Sequence, residues 1–343
     1  MRFARTILGA SLVVGVSSTL AAQAQPNTCA PAGAASVPPS VAYATRDACI
    51  KASDIFTYMV PQLGNGLVGG NTTAGQGGSL GGFPHFAIAV RATGAPDAKL
   101  PDFASISMSA GPEVSSNIGQ KSQAFGLAGV DAALGLWGGY SVIGVGTFFG
   151  VDALVNASYI PDVNTGTPGV PGFFGVKSKD SYAIGYGARV GIFNGAALLP
   201  SVGISYITRS LPKTTLTTQA ATSSITIQDL SLTTSSWRLT ASQSLLILGL
   251  NAGYGQDMYD GATDYTANVN PGNYTLPLTH TTAKTTRTNW FVGATINLFI
   301  FKVFGEYGQA SGGNLSTFNQ FGGSTTSVND NKTYYSAGLR FGF

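Results

Sequence analysis

Charge is scarce in this chain. Lys, Arg, Asp and Glu make up 10% of its 343 residues, against about 25% in soluble domains. Net charge is only +3, and no basic cluster occurs, so the sequence does not point to nucleic acid. Histidine is limited to His85 and His280 and cysteine to Cys29 and Cys49. That excludes a cysteine-rich scaffold and leaves no set of metal ligands at familiar spacing. Beyond the N-terminus there is no run of about 18 apolar residues, which excludes a mature transmembrane helix. The chain contains 46 glycines, roughly twice the usual share.

The last ten residues carry the clearest pattern. Tyr335, Ala337, Leu339, Phe341 and Phe343 alternate with Tyr334, Ser336, Gly338, Arg340 and Gly342. A strand has a side-chain period of two, so one face is apolar and the other small or polar. Similar alternation recurs from Phe83 onward. Tyr182, Ile184, Tyr186, Val190 and Ile192 oppose Gly185, Gly187, Arg189 and Gly191, and Trp237, Leu239 and Ala241 oppose Arg238, Thr240 and Ser242.

Long connections are expected at 94–120, 159–180, 210–232, 258–284 and 311–331. Short turns are expected near Trp137–Tyr140, at Asn194-Gly195 (194–198), at 244–246 and at 298–301. This alternation predicts an all-β, antiparallel transmembrane barrel of ten strands, both of whose ends lie on the short-turn side. If 215–217 and 225–227 form a separate hairpin, the count becomes twelve or more.

The end of the chain resembles the assembly signal of Gram-negative-type outer-membrane β-barrels: Ser336, Gly338, Phe341 and the terminal aromatic Phe343 stand at the matching spacing. The resemblance implies an outer-membrane location. It also implies contact with outer-membrane lipids, lipopolysaccharide and the barrel-assembly machinery. The layout, an N-terminal segment ahead of a barrel, is loosely similar to the long-chain fatty-acid transporters, without a match to their motif.

Residues 1–24 read as a signal peptide. Arg2 and Arg5 precede an apolar stretch, and Ala22-Gln23-Ala24 is the expected cleavage site. Residues 25–42 read as a Pro- and Ala-rich tether. A short helix follows, with Thr45 as its N-cap and Pro61 as its end. Residues 64–82 read as a flexible Gly-rich link into a barrel spanning 83–343. Export to an oxidising compartment makes a Cys29–Cys49 disulfide the expected pairing. Closing that loop is worth on the order of 3 kcal/mol in the chain-entropy picture.

Most chargeable strand residues fall on the face opposite the lipid: Arg91, Asp131, Asp152, Arg189, Arg238, Asp257, Glu306 and Arg340. Buried charge must be paired or wet. The two expectations are therefore ion pairs filling the lumen, or a polar pathway. Inward glycines suggest either a cavity or room for the N-terminal segment. The apolar residues at 43–63 favour burial in or under the lumen, with docking on a partner as the alternative.

No catalytic residue, metal site or cofactor is assigned. Asp257, Asp260 and Asp264 are expected together at an external rim, solvated or as a weak calcium site. The first functional expectation is passage of a small solute, apolar or polar. The second is a structural or surface-interaction barrel. An outer-membrane enzyme is the third.

Overall fold

A computed structural model describes residues 29, 38–73, 75–112, 114–170, 172–195, 199–219, 223–269 and 274–342. The expected signal peptide and Phe343 lie outside the described residues. So does most of the expected tether.

One helix, α1 (Pro39–Val68), precedes ten barrel strands. These are β1 (Phe86–Ala95), β2 (Phe125–Trp137), β3 (Gly146–Tyr159), β4 (Tyr182–Gly195) and β5 (Ser201–Gln219). They continue with β6 (Ser224–Leu245), β7 (Leu248–Val269), β8 (Thr279–Leu298), β9 (Phe301–Ser311) and β10 (Lys332–Gly342). Each strand pairs antiparallel with its neighbours. The ring closes where β1 meets β10, with Ile88 opposite Phe341 and Val90 opposite Leu339. The short turns and the β1–β10 ends share one end of the barrel; the long connections occupy the other.

The outer surface has a sharp boundary. A row of aromatic side chains crosses adjacent strands: Tyr206 opposite Trp237, then Tyr254, Trp290, Tyr307 and Tyr335. Between this row and the short turns the outward residues are apolar, as with Leu239, Leu250, Val292, Ile296 and Leu339. Beyond it the strands continue, and the outward residues become polar. There Asp260 pairs with Lys284, and Asp264 with His280.

The interior inverts the same pattern. Level with the apolar band it holds Arg91, Asp131, Asp152, Arg189 and Arg238. Beyond the aromatic row it holds Ile225, Ile227, Leu230 and Leu232 of β6 and Tyr259 and Tyr265 of β7. About 9–11 residues suffice for a strand to cross a bilayer. β6 and β7 have 22 each, so roughly half of each stands outside the apolar band.

Several sequence expectations are corrected by this arrangement. Residues 210–219, 224–232, 258–269 and 279–284 form long strand extensions rather than loops, because their inward residues find an apolar partner in α1. Among the described residues no extra hairpin crosses the band. α1 begins at Pro39, ahead of the expected Thr45 cap, and Thr45 Oγ1 donates to Val41 O within the helix. It also continues through Pro61 to Val68. Burial inside the barrel of most residues from Ala44 to Val68 outweighs the roughly 3 kcal/mol helix penalty of an interior proline. The expected turn at Trp137–Tyr140 falls instead at 143–145, because Tyr140–Val142 pairs back onto β3. Asn194 and Gly195 are strand residues opposite Thr147 and Gly146, not the turn itself.

The outward pattern yields a direct test. Leu250→Arg, in the middle of the apolar band, is expected to destabilise the folded barrel by about 2–4 kcal/mol. Thr282→Arg, exposed beyond the aromatic row, should change stability by less than about 0.5 kcal/mol. Urea unfolding in lipid vesicles, read by the heat-dependent shift in gel migration, checks both.

Candidate functional site

The candidate site is the lumen, and the N-terminal segment fills it. α1 descends from the long-loop end. Ile50, Ile55 and Phe56 are fully buried against the strand extensions, and each such burial stabilises by about 1.5–3 kcal/mol. Burial under the lumen and docking on a partner were the other expectations for this segment. Instead the start of α1 lies at the end opposite the short turns, among the long connections. There Asp47 pairs with Lys51 at 2.6 Å and accepts from Ser109 N at 2.7 Å, and Lys51 donates to Ser107 O at 2.6 Å. The Cys29–Cys49 disulfide sits at this end, beside Tyr265. Tyr58 stacks on Phe321 at 4.2 Å, so the 312–331 connection closes over the helix.

Below α1 the chain runs extended through the barrel to the short-turn end, where β1 begins. The Gly-rich stretch was expected to be a flexible link. It is instead held along its length by the barrel wall. Arg238 Nη2 donates to Val68 O at 2.8 Å, and Arg91 donates to Gly69 O. Glu306 accepts from Asn71 N at 2.9 Å, and Arg209 donates to Thr72 Oγ1 at 2.6 Å. Arg340 donates to Thr73 O at 3.2 Å and also binds the Gln76 side chain. Arg189 reaches Gln76 O at 3.2 Å, Asn194 accepts from Ser79 N at 2.8 Å, and Asp152 accepts from Leu80 N at 3.0 Å.

The eight sequence-selected charges all have buried side chains. Six form three pairs across neighbouring strands: Arg91 with Asp131 at 2.7 Å, Arg189 with Asp152 at 2.6 Å, and Arg238 with Asp257 at 3.6 Å. Glu306 and Arg340 bind the threaded segment directly. Glycines supply the clearance. A Cβ on Gly191 would meet the Ser79 backbone and side chain at 2.6–3.0 Å. One on Gly203 would strike the carbonyl oxygen of Gly77.

Reading the sequence missed Arg209 and Arg287. Arg287 is fully buried and donates to Asp330 O at 2.6 Å, fastening the 312–331 connection. Both lie on the inward parity of their strands. Continuing the alternation past Tyr206, and back from Trp290, would have found them. The proposed acidic rim does not form. Asp257 is inside, bonded to Ser236 at 2.6 Å, whereas Asp260 and Asp264 face outward. Among the described residues no group of His, Cys, Asp and Glu is placed to hold a metal. Ser336 faces inward, and Phe341 packs outward against Phe86 and Phe301.

A closed ring of paired strands with an apolar outer band and an aromatic boundary meets the requirements for spanning a bilayer with β-structure. This is a bacterial outer-membrane β-barrel. No protein-family profile matches the sequence, and no curated protein does. Among solved structures, it matches the beta domain of the Bordetella autotransporter BrkA at 10% identity and a TM-score of 0.29. That match covers 76% of this chain and 98% of that one. It also matches OmpT, an outer-membrane protein of Vibrio cholerae, at 12% identity and a TM-score of 0.20, covering 75% and 98%.

Outside the apolar band, Asp54 of α1 binds the 312–331 connection. It accepts from Phe318 N at 3.1 Å, Asn319 N at 2.7 Å and Asn319 Nδ2 at 2.8 Å. Burial outweighs these donors and pushes its carboxyl up from 3.8 to about 6. The folded state therefore holds the proton more tightly than the unfolded chain. The resulting stabilisation is full below pH 3.8 and is lost as pH rises through about 6.

Two expectations follow for this site. Gly191→Val should push residues 76–80 off the wall while the barrel still forms. A cysteine placed by Ser79→Cys should resist a water-soluble maleimide in the otherwise native protein and react in the Gly191→Val background. Separately, amide exchange across 315–321, corrected for intrinsic rates, should be slower near pH 5 than near pH 7.5. Asp54→Asn should flatten that difference.

Proposed function

We propose that this chain is a closed surface barrel that holds its N-terminal segment across the outer membrane and presents its long-loop end to the cell exterior as an interaction platform. The observation carrying this reading is the filled lumen. α1 and residues 69–82 occupy it from end to end, and the inward charges are spent on one another and on that segment's backbone.

A pore for free diffusion needs a water-filled channel. Opening one here would require extracting the segment and leaving several buried charges without their hydrogen-bond partners. Breaking even one buried pair costs about 3–5 kcal/mol. By convention of the fold, short turns face the periplasm, so the start of α1 faces outward. The exterior cap then offers paired charges, such as Lys121 with Asp102 and Lys213 with Asp229, to lipopolysaccharide or another cell.

The reading is non-enzymatic. His85 Nδ1 contacts Gly82 O at 2.9 Å and His280 Nδ1 contacts Asp264 at 2.9 Å, the latter pair on the outer face.

The purified protein in planar bilayers should give no stable conductance steps. Regular large steps from the intact chain would overturn the closed-barrel reading. A cysteine introduced by Ser40→Cys, at the exposed start of α1, should react with a membrane-impermeant maleimide on intact cells. Labelling only after permeabilisation would overturn the orientation.

A further inference from the structure

The packing around α1 is not complete on every side. Toward β1–β5, just beyond the aromatic boundary, lies a cavity of about 250 Å³. Met59, Leu63 and Leu67 of α1 form its floor; Phe125, Leu127 and Leu216 are among its walls. Gln62 also lines it. That side chain is 4% exposed, and its Nε2 interacts with the Tyr58 hydroxyl one turn earlier without reaching ordinary hydrogen-bond geometry. Lys and Arg are absent from the lining.

The cavity has a way in. The β2–β3 ladder stops at Gly129 opposite Ser158. Above that point β3 ends at Tyr159, and Ile160 N stays with the β4 side, donating to Ser181 O at 2.8 Å. Phe125–Ala128 pair with β1 on one side, but among the described residues they have no ladder partner on the other. The resulting seam lies beside the outward-facing Tyr159–Tyr182 pair, and Gly126, Ile160 and Pro161 all border the cavity. A gap at that height opens toward the junction of headgroups and acyl chains in the outer leaflet.

We propose that this cavity binds a small neutral amphiphile, with an apolar body and one carbonyl or hydroxyl oxygen, entering sideways through the β2–β3 seam. A cavity of roughly 150 Å³ already admits benzene, so this one has room for on the order of ten carbon atoms. The buried Gln62 amide supplies a donor whose partner would be the ligand oxygen, since a buried polar group without a bond is costly. With no cation in the lining, a carboxylate would enter unpaired, and the charged form is disfavoured. The ligand chemistry is therefore that of an ester, ketone or alcohol. It could come from a free molecule or from the ester-linked chain of a membrane lipid.

Photo-crosslinking of the full chain in lipid nanodiscs tests this. The probes are a diazirine-bearing methyl decanoate, the same chain as a free carboxylate near pH 8, and a phospholipid with the diazirine in its acyl chain. The methyl ester should label peptides containing Leu63, Phe125 or Pro161, and the carboxylate should label them about tenfold less. Equivalent labelling by the phospholipid would mark a lipid chain as the occupant; labelling by the ester alone would mark a free molecule. Leu63→Trp should abolish the signal. Gly126→Leu, whose Cβ has only Thr93 O at 3.4 Å and Gly94 Cα at 3.9 Å nearby, should reduce it by closing the mouth without filling the interior. Gln62→Leu should erase the ester's advantage over an alkane probe. Labels spread along the outer band, or unchanged in both Leu63→Trp and Gly126→Leu, would overturn the site. Equal labelling by the carboxylate would overturn its neutrality.

Discussion

A backbone amide facing hydrocarbon has no water to bond, so every one of them must be satisfied inside the protein. The rest of the structure depends on that constraint. It forces the ten strands into a closed ring, with β1 completing β10. It also leaves the inner face as the only place in the band for polar side chains. Once Arg91, Arg189 and Arg238 are there, they need acids, carbonyls or water. Asp131, Asp152 and Asp257 supply the acids, and residues 68–76 supply carbonyls. The threaded segment thus substitutes for the water that would fill an open barrel.

The segment is matched to the two halves of the interior. Across the membrane band the wall is polar, and the segment there is extended and rich in Gly, Asn, Thr and Gln. Its amides and carbonyls meet the charges, and glycines on both sides let backbone approach backbone. Beyond the aromatic row the wall is apolar, and the segment becomes a helix carrying Ile50, Ile55, Phe56 and Met59. The outer surface follows the opposite order because its surroundings do: hydrocarbon first, then water. A single barrel therefore contains a membrane domain and, continuous with it, a cap built like a soluble protein with an apolar core. The disulfide at Cys29–Cys49 and the docked 312–331 connection both belong to that cap.

The membrane half was the more legible part in the sequence because its signal is local. Period-two alternation places Arg189 and Gly191 inward and Val190 and Ile192 outward without knowledge of any neighbour. The cap was harder to read. In 210–232 and 258–284 the outward residues are Thr, Ser and Asp, as in a loop. Their inward Ile225, Leu232 and Tyr265 are apolar only because α1 lies opposite them. The same reason hid the true extent of α1. Pro61 is a stop signal in an isolated helix, and the penalty it predicts is outweighed only by burial inside the barrel.

The class of the molecule follows from local pattern alone: scarce charge, abundant glycine, alternating strands and alternating connection lengths admit a membrane barrel and little else. Along an unbroken strand that pattern also orders inward against outward residues, but the irregularity at Asp229, where inward Ile227 is followed by inward Leu230, is not written in the alternation. What the inward residues meet depends on contacts between distant parts of the chain. Whether Arg238 ends beside Asp257 and a helix carbonyl or in a water-filled channel depends on the path of a segment about 170 residues earlier in the chain. The direction of that path is likewise not written in any local pattern. A Gly-rich stretch can adopt many backbone conformations at little steric cost. Its single course through the lumen is imposed by the ring of charges around it.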